Sequence, residues 1–85
     1  LTLAFIGAMP AARAQSVAAA LAAEPAQPFD FMLDAIDAFA GARVLFAGCT
    51  RPPAIDSPLA RCAAQVRAQL TALDVAFDRK PFVPH

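Results

Sequence analysis

The chain has 85 residues, with seven Lys and Arg against seven Asp and Glu, so its formal net charge is zero. This length holds one small domain, since single domains typically run to about 100–150 residues. Zero net charge excludes the broad positive field of a non-specific nucleic-acid binder, and any anion site must therefore be local. Hydrophobic residues make up 59% of the chain, but 23 of its residues are Ala. The core must therefore depend on seven Phe and a few larger aliphatic side chains.

The first part of the sequence predicts a strand followed by a helix. Residues 1–6 are apolar except for Thr2, which predicts a short strand buried on both faces. Pro10 suits the first turn of a helix. Strong helix formers then run from Ala11 to Glu24, and Pro25 ends them.

The middle of the chain predicts two strands that pair as a hairpin. Residues 29–34 alternate with a period of two, which is typical of a half-buried strand. Residues 37–42 include a glycine and are expected to form a turn or a short irregular link. Residues 43–48 predict the second strand, and the loop between the two strands is expected to be long.

A second helix is predicted after a proline-rich loop at residues 50–58. Asp56 or Ser57 can cap this helix, with Pro58 in its first turn. Its polar residues, Arg67 among them, are expected to face away from the core. The apolar residues follow one another at steps of four, three, four and three: Leu59, Ala63, Val66, Leu70 and Leu73.

The chain ends in an extended segment, residues 81–85, whose two prolines favour a strand entry or a sheet edge. The predicted order is strand, helix, strand, strand, helix and extended segment. This order indicates an α+β fold with both helices on one face of an antiparallel sheet.

Few residues are candidates for catalysis or ligand binding when each is considered alone. His85 is the only imidazole, and its common alternative is a terminal residue without a role. Thr2 is the only polar residue of the first predicted strand, where a threonine is often only a strand former. Arg79 and Lys80 beside Phe82 could hold a phosphate, although a solvated charged loop is the more common explanation.

Metal and thiol chemistry find little support in the sequence. Acid–base or metal chemistry could be suggested by three aspartates: Asp30, Asp34 and Asp37. The simpler explanation is that Asp30 and Asp34 lie on the solvent-exposed face of a strand and that Asp37 lies in a turn. Cys49 and Cys62 stand 13 positions apart with one histidine in the chain, which leaves a zinc site short of ligands. Both thiols are expected to be small core residues in a reducing compartment.

The two ends of the chain carry a resemblance to one family. Residues 1–7 read Leu-Thr-Leu-Ala-Phe-Ile-Gly, and residues 79–85 read Arg-Lys-Pro-Phe-Val-Pro-His. The first run is similar to the strand after the first catalytic histidine of the 2′-5′ RNA ligase family. These enzymes are also called RNA 2′,3′-cyclic phosphodiesterases and belong to the 2H phosphoesterase superfamily. The second run resembles the Arg-Pro-Phe-x-Pro-His that opens the family's second His-x-Thr-x motif, and residues 33–39 and 43–48 loosely resemble its middle strands.

The resemblance implies a two-lobed, 2H phosphoesterase-like α+β fold. Residues 1–85 would form the central part of one truncated domain that lacks its N- and C-terminal strands. A histidine is then expected directly before Leu1, and a threonine two places beyond His85. Lys80 departs from the arginine that the family often has there, which keeps the charge but loses a two-pronged phosphate grip.

The implied activity is metal-independent hydrolysis of RNA 2′,3′-cyclic phosphate ends to 2′-phosphates, with the reverse 2′-5′ ligation left open. His85 would accept a proton, Thr2 would hydrogen-bond a phosphate oxygen, and Lys80 and Phe82 would contact the substrate. The partner would be an RNA or nucleotide, with no cofactor, metal or membrane, and the protein would be a cytoplasmic monomer. The 85 residues alone are expected to be inactive, because one of the two proton-transfer groups is missing.

Two alternatives stay open. The chain could be a small secreted protein whose signal peptide has residues 1–9 as its apolar segment and residues 12–14 as its cleavage site. No positive charge precedes that segment, and cleavage would remove the first predicted strand. The other alternative is a non-catalytic RNA- or nucleotide-binding module of the same fold.

Overall fold

The computed structural model describes all 85 residues and has an α+β architecture of two helices and a two-stranded antiparallel sheet. Helix α1 spans Ala11–Ala22, and strand β1 spans Ala35–Phe39. A 3-10 turn at Ala40–Ala42 leads into strand β2 at Val44–Gly48, and helix α2 spans Pro58–Ala72. The α+β class expected from the sequence is confirmed.

Both helices form where the sequence predicts them. α1 begins directly after Pro10 and ends two residues before the predicted end. α2 begins at Pro58, and the Ser57 Oγ accepts a hydrogen bond from the Ala60 N–H at 3.2 Å. This contact satisfies one of the free N–H groups of the first helical turn, so Ser57 is the N-cap.

The hairpin is confirmed, but its first strand lies later in the chain than predicted. Residues 29–34 form no strand, and β1 instead uses Ala35–Phe39, most of which the sequence predicts to be a turn. In the register, Ala35 faces Gly48 and Phe39 faces Val44. The prediction was wrong because a strand directly before a tight turn closes a shorter loop, which costs less chain entropy than the long loop expected.

The N-terminal segment, residues 1–6, is not a sheet strand, which corrects the first strand prediction. It lies along the C-terminal segment through two separate main-chain hydrogen bonds. The Thr2 N–H donates to the His85 main-chain oxygen at 3.4 Å, and the Asp78 N–H donates to the Phe5 oxygen at 2.9 Å. Two prolines in the C-terminal segment have no N–H to donate, which interrupts a continuous ladder.

The core lies between the helices and the two terminal segments. Its buried centre consists of Val17 from α1, Leu70 from α2 and Val75 just after α2. Partly buried side chains pack around this centre: Ala4, Ile6, Met9, Leu21, Val66, Leu73 and Phe77. The hairpin contributes no residue to this cluster, so the expected stacking of both helices on the sheet is not how the core is built.

The hairpin therefore keeps an apolar face in solvent. Ile36 pairs with Ala47, and Leu45 pairs with Ala38, which places these side chains on one face of the two-stranded sheet. Ile36 is 81% exposed and Leu45 is 76% exposed. Neither α1 nor α2 has the length and apolar character that crossing a membrane requires.

A carboxylate closes the open end of the hairpin. The Asp34 Oδ1, just before β1, accepts a hydrogen bond from the Thr50 N–H, just after β2, at 2.6 Å. This main-chain hydrogen bond favours the ionised carboxylate and lowers the pKa of Asp34 below its ordinary value of 3.8. A lowered pKa in the folded state stabilises the fold above the unfolded-state pKa, and this stabilisation is lost as the pH falls through the folded-state value.

The Asp34→Asn variant tests this linkage. We expect it to have a lower free energy of unfolding than wild type at neutral pH, because the amide accepts a weaker hydrogen bond from Thr50. We expect the gap to narrow as the pH falls below the ordinary pKa of 3.8 and to close below the lowered folded-state pKa, where the wild-type carboxyl is also neutral in the folded chain. Urea denaturation at several pH values measures the gap, and a gap that does not change with pH would contradict the linkage.

Truncation of the buried core residue tests the packing. Leu70 is fully buried, so Leu70→Ala should lower the free energy of unfolding by about 2–5 kcal/mol. Ile55 is 92% exposed, so Ile55→Ala should change it by less than about 0.5 kcal/mol. Denaturant unfolding of both variants gives the comparison, and equal losses would show that α2 does not bury this face.

Candidate functional site

One hollow brings together the site residues that the sequence predicts. It has a volume of about 1010 Å³ and lies between the two terminal segments, the hairpin turn and α2. Its lining includes all four predicted residues: Thr2, Lys80, Phe82 and His85. The tip of the hairpin, Ala38–Ala42, forms another part of the wall.

The pairing of the terminal segments places Thr2 beside His85. The main-chain hydrogen bond between these two residues joins the two ends of the chain at the edge of the hollow. Both residues are exposed, so the threonine hydroxyl and the imidazole remain accessible to a ligand. The two terminal runs that resemble family motifs, residues 1–7 and 79–85, therefore both contribute to this hollow.

The structure favours one tautomer of His85. Its Nδ1 lies 2.7 Å from the main-chain oxygen of Val83. A carbonyl oxygen only accepts hydrogen bonds, so Nδ1 must carry the proton in this contact. In the neutral ring, Nε2 then has a free lone pair, which is the form that a general base requires.

Aromatic side chains of the hairpin hold the imidazole in place. The Phe39 and Phe46 rings stack with centroids 4.2 Å apart. The His85 ring meets both of them nearly at right angles, with centroids 5.2 Å from Phe39 and 5.7 Å from Phe46. Such edge-to-face packing is favourable between aromatic rings and restricts rotation of the imidazole. This role could not be predicted from the sequence, because the two phenylalanines lie far from His85 along the chain.

Lys80 lines the hollow but turns its charge toward solvent. Its Nζ lies 3.6 Å from the Asp78 Oδ2, and the lysine side chain is 84% exposed. Its N–H also donates to the Asp78 Oδ1 at 3.0 Å. The nearby carboxylate offsets the positive charge of the ammonium group. Phe82 is half-buried in the wall of the same hollow.

Arg67 also lines the hollow, whereas the sequence predicts only that it lies away from the apolar face of α2. It projects from α2, and its Nη1 donates a hydrogen bond to the main-chain oxygen of Lys80 at 3.0 Å. Its Cζ lies 5.8 Å from the centre of the Phe77 ring. One signal was present in the sequence, since α2 carries two arginines and no acidic residue that could pair with Arg67 along the helix.

The acidic residues and the thiols form no joint site. No group of three or more His, Cys, Asp or Glu side chains comes together in the chain. Asp34 and Asp37 each accept a hydrogen bond from a main-chain N–H. Cys49 and Cys62 are free and half-buried, and neither belongs to the central core cluster that the sequence led us to expect for them.

Comparison of the chain with protein-family models, curated proteins and solved structures finds no match. The resemblance to the 2′-5′ RNA ligase family therefore rests on the motifs at the two ends of the chain. The geometry of the hollow is the structural observation that bears on function.

The packing of His85 on the hairpin makes a spectroscopic prediction. In its neutral form, His85 should carry its proton on Nδ1, which ¹⁵N NMR of the imidazole detects directly. Phe39→Leu should shift the His85 ring-proton signals, because the neighbouring aromatic ring is lost. Phe31→Leu is the matched control, since the Phe31 ring pairs with Phe29. Equal effects of both variants, or an Nε2–H tautomer, would contradict this arrangement.

Proposed function

We propose that this chain forms part of the active site of a metal-independent RNA 2′,3′-cyclic phosphodiesterase. The observation that carries the proposal is that Thr2 and His85, from the two end motifs, lie beside each other on one hollow. Lys80 and Phe82, the other two residues that the resemblance assigns to the site, line the same hollow. The substrate would be an RNA or nucleotide that ends in a 2′,3′-cyclic phosphate, and the product would carry a 2′-phosphate.

His85 would act as the proton acceptor. A water molecule attacks phosphorus in line with the ribose 3′-oxygen and gives a proton to Nε2 of His85 as the new P–O bond forms. The P–O3′ bond breaks, and the 3′-oxygen takes a proton from an acid. Each such proton transfer typically accelerates the reaction by ~100- to 10,000-fold. The Nδ1 contact with Val83 supports this role, because in the neutral ring it leaves the Nε2 lone pair free.

The resemblance assigns the acid to a histidine directly before Leu1. Residues two apart in an extended segment point to the same side, so that histidine would share the side of Thr2. Thr2 lies against His85, and the two imidazoles would therefore flank one phosphate. The Thr2 hydroxyl would donate a hydrogen bond to a phosphoryl oxygen, where negative charge grows in the transition state.

Aromatic side chains in the hollow support a nucleotide substrate. Phe82 and Phe5 both line it, and Phe5 is 68% exposed. Stacking of a base on an exposed aromatic ring is worth about 1–3 kcal/mol and tolerates any base. Reverse 2′-5′ ligation would use the same groups in the opposite direction.

A non-catalytic nucleotide-binding module is the second candidate. It is favoured by the two aromatic side chains of the hollow, Phe5 and Phe82, which can stack on a base without any proton transfer. The secreted alternative has less support, because Ala4, Ile6 and Met9 pack against the core and cleavage after residue 14 would remove them. We place the protein in the cytoplasm as a monomer; its unpaired cysteines agree with a reducing compartment.

Titration of the 85-residue chain with adenosine 2′-monophosphate, followed by ¹H–¹⁵N NMR, tests the proposal. We expect shifts at Thr2, Phe82 and His85, and weaker binding by His85→Gln, because the imidazole contacts the phosphate. Shifts confined to the smaller hollow of about 480 Å³ beside Asp34 and Arg51 would contradict the assignment.

A second measurement separates the enzyme from the binding module. Adenosine 2′,3′-cyclic monophosphate should bind to the 85-residue chain but should not be hydrolysed at a meaningful rate, because one proton-transfer group is missing. A version of the chain with a histidine before Leu1 and threonine two places after His85 should gain turnover if the protein is the enzyme. Rapid hydrolysis by the chain with its single histidine would contradict the two-histidine mechanism.

A further inference from the structure

The charges around the large hollow are unevenly balanced. Four of its lining residues are ionisable: Arg67, Asp78, Lys80 and His85. Lys80 and Asp78 form the one ion pair in the chain, at 3.6 Å. Arg67 has no carboxylate within ion-pair distance, so its positive charge is the one that no acidic side chain offsets at short range.

Arg67 is fixed in place by neutral groups alone. The main-chain oxygen of Lys80 accepts a hydrogen bond from its Nη1, and the Phe77 ring lies beside its guanidinium group. Its Nε is out of contact with solvent and has no hydrogen-bond acceptor, so the donors left for a ligand are Nη2 and the second N–H of Nη1. A half-buried cation with unused donors is costly unless an anion accepts from it, so this environment favours an anionic ligand.

We propose that Arg67, in place of Lys80, is the cation that binds the substrate's phosphate in this hollow. The inference rests on the proposed function and adds a substrate-binding residue to it. A guanidinium group offers two parallel donors to phosphate oxygens, which the ammonium group of lysine does not. Arg67 is already held by Lys80 and Phe77, so binding would cost it little side-chain entropy, whereas Lys80 is 84% exposed and would lose more.

Binding measurements on charge-removing variants test this assignment. The probes are adenosine 2′-monophosphate and inorganic phosphate, titrated by calorimetry and by ¹H NMR of the His85 ring. Arg67→Met should weaken binding of both probes by about tenfold or more, because a charge-assisted pair of hydrogen bonds is lost. Lys80→Met should weaken it by less than about threefold, since an exposed charge contributes little. Arg61→Met is the matched control, because Arg61 is exposed on the same helix and does not line the hollow.

A conservative variant guards against loss of the fold. Arg67→Met also removes the hydrogen bond to Lys80, so circular dichroism and thermal unfolding should accompany each titration. If the methionine variant does not fold, Arg67→Lys decides: it keeps the charge but not the two-pronged geometry. We expect it to bind about threefold or more weakly than wild type. Unchanged affinity in a folded Arg67→Lys chain would then overturn the proposal.

The outcomes separate this inference from the proposed function. Loss of binding in Arg67→Met with near-normal binding in Lys80→Met supports it, and equal losses or the reverse order overturn it. If the nucleotide binds and shifts the His85 signals while Arg67→Met binds it normally, the proposed function is supported and the role of Arg67 is overturned. If inorganic phosphate binds through Arg67 and the nucleotide binds no more tightly than inorganic phosphate, the role of Arg67 is supported and the RNA substrate is overturned. Binding of neither probe by wild type overturns both.

Discussion

The contact between the two terminal segments is the constraint on which the site depends. Two main-chain hydrogen bonds, from Thr2 to His85 and from Asp78 to Phe5, hold together segments from opposite ends of the sequence. These main-chain contacts bring the two segments together, and the side chains of the segments supply the chemistry of the hollow. Ile6 and Phe77, near these bonds, pack against the core cluster, so the pairing of the ends is joined to the packing of the helices.

Two other elements complete the site around that contact. The hairpin supplies Phe39 and Phe46, whose rings meet the His85 ring nearly at right angles. α2 supplies Arg67, which donates a hydrogen bond to the main chain at Lys80. The hairpin contributes nothing to the central core cluster, and its contacts with His85 are what connect it to the site. α1 therefore serves as scaffold, whereas α2, the hairpin and the terminal segments together shape the hollow.

The sequence predicts the parts of this structure that depend on local chemistry. Both helices are predicted from local signals. In α2 these signals are the spacing of apolar residues such as Leu59 and Leu70 and the N-cap at Ser57, which involve only residues close together in the sequence. The site residues at the two ends were found by motif resemblance, and the structure places them around one hollow. The hairpin register and the position of Arg67 could not be predicted, because both depend on long-range contacts. The position of β1 depends on its pairing with β2 across a short loop. The position of the Arg67 side chain depends on its hydrogen bond to the main-chain oxygen of Lys80, 13 residues away along the chain.

The central claim is that Thr2 and His85 share one side of the folded chain, and solution NMR tests it most directly. In a uniformly labelled sample, nuclear Overhauser cross-peaks should connect the protons of residues 1–3 with those of His85 and its neighbours. The Thr2 amide should also exchange with solvent more slowly than exposed loop amides that donate no hydrogen bond. Random-coil shifts at both ends, with no cross-peaks between them, would contradict the account and leave the motifs without a common site.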